Sequence, residues 1–399
     1  MALAVTLLTL AMIAVFLSVA FLSVDMTGRV ADRYRDHVVA AEAARAGLAT
    51  ALYELSRDAD WDEGFAETRL THSGATCSVT FEPGAGRRHS TNNRSGASQT
   101  TGYGGRAVPA GCTHLVSVGR YGKAEAISEA LVDIGPIPPL RYAVAAQGRL
   151  TLDGSSTDSW DSSQGSYSAT RSTGGGDVRT NAAARDRVRL RGSSVVRGDV
   201  TVGPGGSSST VDIARGSSVT GSISAASEKL SLAFPIQPAG SGSAQTLAAG
   251  SHSLAPGTYG DVSLVGATLN LTGGSYVFES LTAVSSTLKL AASESTAYIY
   301  VLGRVTTTSL TVSNDTGVPG RLWLTAVESG KSWSLDLAKD AYMVIYAPGS
   351  TISIEDGAIY GAVVGETVRL EDSGVHFDQA LRTAEGPAGG LTLLGRWGD

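Results

Sequence analysis

Carboxylates that could bind a metal ion or catalyse hydrolysis are few in this sequence of 399 residues. One acidic group comprises Asp153, Asp158 and Asp161. Its oxygens would suit calcium, but the spacing does not match an EF-hand loop, and a solvated serine-rich loop is the preferred interpretation. A second set comes closest to a stacked acidic row, with a solvated turn as the preferred interpretation: Asp336, which lies between Leu335 and Leu337, and Glu355, Asp356, Glu371 and Asp372, which follow apolar pairs.

Hydrolysis of a glycosidic bond usually needs two positioned acids, or an acid with a strong base, a few ångströms apart. The C-terminal half instead offers mainly Ser, Thr and Gly. For His376, which precedes Phe377 and Asp378, we expect a local structural hydrogen bond. We predict that the protein is not an enzyme and has no catalytic residue, metal ligand or cofactor. The histidines also lack metal-ligand spacing: His37, His72, His89, His114, His252 and His376.

Two cysteines, Cys77 and Cys112, bracket a polar, glycine-rich loop over residues 84–105. In a cytosolic protein they would be unpaired thiols, whereas in an exported protein a disulfide is favoured. That bond would close a loop of about 34 residues and contribute roughly 3–4 kcal/mol on the chain-entropy model. We predict the disulfide, because the N-terminal segment indicates export.

This N-terminal segment reads as a helix with two different halves. No charge occurs from Ala2 to Val24, and about 20 apolar residues suffice to span a bilayer. A secretory signal peptide should begin with a basic stretch, which is missing here. We predict one continuous helix over residues 1–57, whose second half docks on a soluble head. Apolar residues recur there at steps of three or four: Val30, Tyr34, Val38, Ala41, Ala44, Leu48, Leu52 and Leu55.

The same segment resembles the N-terminus of type IV pilin-like proteins of the PilX type. The resemblance rests on the apolar run, on Tyr34-Arg35-Asp36, and on residues 40–44 followed by Gly47-Leu48. It implies that Met1 is the first mature residue. Val5 stands where most major pilins carry a glutamate, as in some minor pilins. The helix is then expected to pack in a filament core through Leu3, Val5, Leu7, Leu10, Ile13, Phe16, Leu17 and Phe21.

The rest of the chain reads as β structure. Alternation at 77–81 and 114–118 predicts a small β-rich, pilin-like unit over residues 58–134. Prolines predict a linker over residues 135–140. Residues 141–381 contain recurring apolar pairs, which we interpret as a right-handed β-helix or related β-solenoid, with a β-sandwich as the alternative; residues 382–399 form a tail. The pairs are Leu269/Leu271, Leu288/Leu290, Leu310/Val312, Leu335/Leu337, Ile352/Ile354 and Val368/Leu370.

Motifs at 158–165, 198–206, 360–365 and 374–381 resemble a head domain found behind PilX-type helices. The predicted fold class is therefore α+β: a long N-terminal pilin helix, a small β-rich unit and a large β-solenoid head. The predicted function is a structural subunit of a type IV pilus-like extracellular filament. The alternatives are a minor tip pilin with an adhesin head and a membrane-anchored β-helix enzyme.

Expected partners follow from that function and from the charge. They are other pilin subunits, the inner membrane before assembly, and a surface or glycan ligand of the head. The assembled protein is expected in a filament on the cell surface. A net charge of -6 argues against nucleic acid as a partner, because phosphate binding needs a concentrated basic face.

Overall fold

The computed structural model describes residues 2–58, 60–71, 73–84, 88–236, 242–387 and 390–398, with side chains from Val30 onward. Strands make up 48% and helices 13%, and where side chains are described the only helix of seven or more residues covers 30–57. The α+β class predicted from the sequence is therefore wrong, since the protein is mostly β. The helices are α1 (Ala2–Arg57), α2 (Tyr167–Thr170) and 3₁₀ turns at Tyr103–Gly105, Ser208–Thr210, Pro319–Arg321 and Gln379–Arg382.

Two compact units divide the chain. The first comprises Met1–Leu55, Asp60–Asp133 and Leu393–Asp399, and the second comprises Ser56–Ala59 and Ile134–Thr392. An antiparallel sheet dominates the first unit, with the pairs β1–β2, β2–β6, β3–β6 and β6–β7. Its strands are β1 Phe65–Arg69, β2 Thr76–Val79, β3 Thr91–Asn92, β4 Thr100–Thr101, β5 Ala107–Val108, β6 Cys112–Tyr121 and β7 Ala124–Gly135.

Helix α1 lies directly on this sheet. Small residues make the contact: a Cβ added at Gly119 of β6 would lie 2.1 Å from the Ala40 carbonyl oxygen, and one at Gly47 would lie 2.4 Å from Ser117 Oγ. Backbones approach this closely only where side chains are short or absent. The second half of the helix therefore lies against the sheet of the first unit. The buried helix face consists of Ala40, Ala43, Ala44, Leu48, Ala51 and Leu55.

The second unit is built from short strands, most of them in parallel pairs. They are β8 Val144–Ala146, β9 Leu150–Asp153, β10 Ser156–Trp160, β11 Val178–Thr180, β12 Val188–Arg191, β13 Val195–Val196, β14 Val200–Val202, β15 Val211–Ile213, β16 Ser218–Val219, β17 Ile223–Ala225, β18 Phe234–Pro235, β19 Gln245–Leu247, β20 Gly250–Ser253, β21 Gly257–Tyr259, β22 Val262–Val265, β23 Ala267–Leu271, β24 Gly274–Phe278, β25 Leu281–Val284, β26 Thr287–Leu290, β27 Ala297–Val301, β28 Val305–Thr308, β29 Thr311–Asn314, β30 Leu322–Ala326, β31 Ser332–Asp336, β32 Ala341–Glu355, β33 Ala358–Glu371 and β34 Gly374–Asp378. The last strand, β35 Gly390–Gly398, is divided between the units.

The parallel strands from β8 to β34, apart from β18, form what we call the strand stack, and its order differs from the order of the chain. β33 pairs with β8 and β9, and β34 pairs with β10, so the last strands lie beside the first. On the other side of β8 the stack continues by the pairs β8–β11, β11–β14 and β14–β17, and β17 lies at one end. The next strand, β19, pairs with β22 at the other end. The predicted right-handed β-helix or related β-solenoid is therefore wrong, and parallel pairing likewise excludes the antiparallel β-sandwich.

The core of the stack contains the apolar pairs that the sequence singled out. Every member of those pairs is at most 4% exposed. They do not form a single tier, however. Leu269 and Leu288 are paired in the sheet of β20, β23, β26 and β29, whereas Ile352 and Val368 are paired in the large parallel sheet. Two different faces of the stack therefore contribute these pairs.

Candidate functional site

The predicted filament-packing residues lie outside the side chains that the structure describes. They are Leu3, Val5, Leu7, Leu10, Ile13, Phe16, Leu17 and Phe21. Within the described part of the chain, no helix is long and apolar enough to cross a membrane. The first described turns of α1 are exposed, with Val30 at 65%, Tyr34 at 72% and Val38 at 41%. An apolar helix stripe therefore continues beyond the part covered by the sheet.

The structure contradicts the predicted disulfide. Cys77 and Cys112 are free and buried. Cys77 pairs in register with Gly119, so Cys112 lies seven positions further along β6. That stretch of strand spans about 23 Å, whereas a disulfide requires Cα atoms within about 7 Å. Bracketing a loop in sequence did not bring the two thiols together, because the loop returns to β6 from its far end.

Both thiols should therefore react with iodoacetamide only after unfolding. Burial raises the pKa of Cys77 above its ordinary 9.0, and burial together with the charge of Asp133 raises that of Cys112. Because the thiolate is the nucleophile, we expect native alkylation to be at least about tenfold slower than in urea. Mass spectrometry without reductant should show two labels on each chain after unfolding. A chain that takes up no label after unfolding without reductant would show that the two cysteines form a disulfide.

A buried histidine on the same sheet lies in a cluster of hydrogen-bonded side chains. His114 is fully buried, with Nε2 3.0 Å from Glu129 Oε2, and Arg106 Nε donates to the same oxygen at 3.0 Å. Burial lowers the pKa of His114, despite the opposing effect of Glu129. The neutral imidazole is thus favoured. The guanidinium of Arg106 also lies 3.8 Å from the centre of the Trp397 ring, so this cluster connects β5, β6, β7 and β35 inside the first unit.

The acidic group considered for calcium is separated in the structure. Asp153 ends β9, Asp158 is buried within β10, and Asp161 lies in the following turn. Asp161 accepts hydrogen bonds from the backbone N–H and hydroxyl of Ser163, which is a turn-forming role. Among the residues described, no three His, Cys, Asp or Glu side chains are arranged to hold a metal ion.

The predicted acidic row does form, with one additional member. Asp336 pairs with Glu355, Glu355 with Glu371, and Glu371 with Asp153 across successive parallel strands. The neighbouring turn positions, Asp356 and Asp372, have φ of 54° and 46°, in the left-handed region that Asp tolerates better than most residues. These carboxylates therefore serve a repeated turn at the edge of the stack. Arg369 also forms an ion pair with Glu371, at 2.7 Å.

A cluster that spans distant parts of the sequence surrounds Asp158. Its Oδ1 lies 2.5 Å from Nδ1 of His376, while Oδ2 accepts from Tyr167 Oη at 2.8 Å and from Arg171 Nε at 2.9 Å. The register of β10 against β34 places Asp158 beside His376. The expected hydrogen bond of His376 therefore exists, but to a residue 218 positions away rather than to a local group.

Aromatic rings enclose this carboxylate. Tyr342 and Tyr360 stack with centroids 4.5 Å apart and planes 12° apart. The Tyr167 ring meets Tyr360 edge-on at 4.9 Å, and Trp160 meets both Tyr342 and Tyr360 edge-on. Burial is the largest cause that raises the pKa of Tyr167 and Tyr360 well above 10, so both stay protonated donors. The cluster thus fixes the loop between β10 and β11 onto the stack.

Two buried aspartates beside this loop have pKa values shifted in opposite directions. Burial raises the pKa of Asp158, but hydrogen bonds from His376 and Tyr167, with the charge of Arg171, outweigh it and leave the pKa below 3.8. Burial dominates at Asp378 and raises its pKa, although Ser162 Oγ donates to its Oδ2 at 2.6 Å. The pKa values of the two aspartates differ because Asp158 has a cationic partner and Asp378 does not. Asp158 is therefore the anion to which the neighbouring groups donate hydrogen bonds.

Comparisons with known proteins give a match to a family model and matches to solved structures. A family model described as "Domain of unknown function (DUF7305)" matches residues 236–384, which is less than half of the chain. No curated protein sequence matches. Among solved structures, the chain is similar to the crystal structure of the competence-associated pilin ComZ from Thermus thermophilus, with 13% identity and a TM-score of 0.23, covering 91% of this chain and 97% of that chain. That TM-score does not establish a common fold.

Proposed function

We propose that this protein is a structural subunit of a type IV pilus-like extracellular filament and is not an enzyme. One observation carries the proposal: the second half of α1 is docked on an antiparallel sheet, while the apolar sequence in front of it contains no charge from Ala2 to Val24. Pilin-type proteins are expected to combine these two features. The exposed stripe of Val30, Tyr34 and Val38 further supports packing against other helices.

The uncharged segment has two roles in this proposal. Before assembly it anchors the subunit in the inner membrane, and afterwards it packs against the same segment of neighbouring subunits. Association in both places comes from apolar surface, so one buried charge should prevent it. The two predicted alternatives, an adhesin at the filament tip and a membrane-anchored enzyme, stay predictions. Counting copies of this chain per filament separates a tip subunit from a repeated one.

Replacing Leu10 or Ile13 by Asp should remove the protein from filaments. A carboxylate at the centre of an apolar helix costs roughly 2.5–3.5 kcal/mol in a membrane, so we expect at least a tenfold loss from the sheared and pelleted filament fraction. Val265→Asp is the matched control, because this valine is 52% exposed in the second unit. Incorporation of the Leu10→Asp and Ile13→Asp proteins at the level of the control would refute assembly through this segment.

A further inference from the structure

A segment of the second unit returns across the strand stack after β17. We call residues 226–236 the returning segment. Side chains of the stack hold it by its backbone: Arg179 Nη2 donates to the Glu228 carbonyl at 2.7 Å, Asn181 Nδ2 to the Leu230 carbonyl at 2.8 Å, and Tyr346 Oη to the Ala233 carbonyl at 2.8 Å. Asn181 Oδ1 also accepts from the Leu230 N–H. The segment is therefore fastened at three points.

A cavity of about 560 Å³ lies between the returning segment, the prolines before β8 and the stack. This volume is in the range of sites that enclose small organic ligands. Its walls combine apolar groups, including Leu140, Leu232 and Val364, with polar and charged groups in comparable number. Such a composition favours a ligand with an apolar body and one charged group.

Arg179 is the polar group that the cavity leaves incompletely paired. Its residue is 8% exposed, and among the described residues Nε has no hydrogen-bond partner. Its guanidinium carbon lies 5.8 Å from the centre of the Tyr142 ring, and no described carboxylate forms an ion pair with it. A buried cation without an anion, and a buried donor without an acceptor, are both unfavourable, so a group that supplies both is expected here.

The charges around the cavity point to the sign of that group. Two further cations, Arg141 and Lys229, line the same cavity, and neither forms an ion pair within the described ranges. Among the described residues that line the cavity, Glu228 contributes the one carboxylate, and its side chain is exposed. The formal charge of the four ionic side chains is therefore positive, which favours an anion.

We infer that this cavity binds a small organic carboxylate with an apolar body, and that Arg179 is the residue that anchors the carboxylate. A planar carboxylate matches the guanidinium fork and can accept from Nε together with a terminal nitrogen. Arg141 and Lys229 add attraction at the mouth, and the apolar walls receive the remainder of the ligand. This inference is independent of filament assembly and would hold for the isolated subunit.

The test is a calorimetric titration of 4-phenylbutyrate and of 4-phenyl-1-butanol into the purified full chain, with a buffer blank. The two probes share an apolar body and differ in the carboxylate. We expect the carboxylate to bind at least tenfold more tightly than the alcohol. Arg179→Gln should weaken the carboxylate about tenfold and leave the alcohol unchanged. Arg185→Gln is the matched control, because Arg185 is 83% exposed and does not line the cavity.

Folding of each variant is checked by its thermal unfolding. Should Arg179→Gln fail to fold, the double variant Arg141→Gln, Lys229→Gln carries the test, since both residues are exposed. It should weaken 4-phenylbutyrate selectively and reduce the salt dependence of binding. Equal affinity for acid and alcohol, or unchanged carboxylate binding in the folded variants, would overturn the inference.

Discussion

Replacing Gly119 by alanine should lower the free energy of unfolding of the first unit by about 3 kcal/mol. The added Cβ would lie 2.1 Å from the Ala40 carbonyl oxygen and 2.3 Å from the Ala44 nitrogen. Both atoms belong to the backbone of α1, so no side-chain rotation relieves the contact. The helix must move away from β6 and give up part of the packing of its buried face.

Thiol labelling measures the stability of the first unit, because Cys77 and Cys112 are both buried in that unit. The urea concentration at half-labelling should fall clearly for Gly119→Ala. Gly135→Ala is the control, since no heavy atom lies within 4 Å of a Cβ built there. If both variants label at the same urea concentration, the close approach of helix and strand is wrong.

The helix shows how far periodicity carries. The spacing of apolar residues correctly places Ala44, Leu48 and Leu55 on the buried face. It misses Ala40, Ala43 and Ala51, and it includes Ala41 and Leu52, which are only partly buried, because hydrophobicity alone does not identify a contact that depends on small size. It also assigns Val30, Tyr34 and Val38 to the same docked face, although the sheet does not reach that far. Periodicity identifies a face but does not show what covers it.

The strand stack shows a different limit. Alternation identifies which residues of each strand point inward, and burial confirms this for pairs such as Ile352/Ile354. The sequence of a strand does not show which strand lies beside it, because the strands of the stack present nearly the same apolar side chains to their neighbours. Placing β8 beside β33 joins residues more than 200 positions apart. The Asp158–His376 contact depends on that placement, so sequence reasoning detected both residues but not the cluster.

The cavity under the returning segment was likewise beyond prediction. Its walls come from the proline-rich stretch, from the stack and from residues 226–233, which carry no periodic pattern. Arg179 alternates with Val178 and Thr180 and resembles any outward-facing strand residue. The Glu228 carbonyl of the returning segment and the Tyr142 ring lie against its guanidinium. A site formed by a crossover connection can therefore be predicted only when the strand topology is known. A site built on one helix or strand can be predicted from the spacing of its residues in the sequence.

Asp158→Asn should destabilise the second unit by about 3 kcal/mol near neutral pH, because it removes a buried anion that several hydrogen-bond donors share. Asp158 is fully buried and accepts from Tyr167 and Arg171 through Oδ2. The asparagine amide either presents N–H groups to these donors or turns them toward His376. The loop between β10 and β11 then loses its attachment, while the stack beneath keeps its apolar core.

The pH dependence distinguishes this electrostatic role from packing alone. The pKa of Asp158 in the folded state lies below 3.8, so the unfolded chain binds the proton first as the pH falls. The stabilisation is therefore complete above about pH 4 to 5 and is lost as the pH falls through the folded-state pKa. Asparagine does not titrate, so the difference in unfolding free energy between wild type and Asp158→Asn should shrink as the pH falls below about 4. Tryptophan fluorescence in urea measures this difference, because Trp160 lies in the cluster.

Asp161→Asn is the control. Its free energy of unfolding is expected to lie within about 0.5 kcal/mol of wild type, because Asn accepts the same turn hydrogen bonds. A difference that stays constant with pH would assign Asp158 a purely steric role.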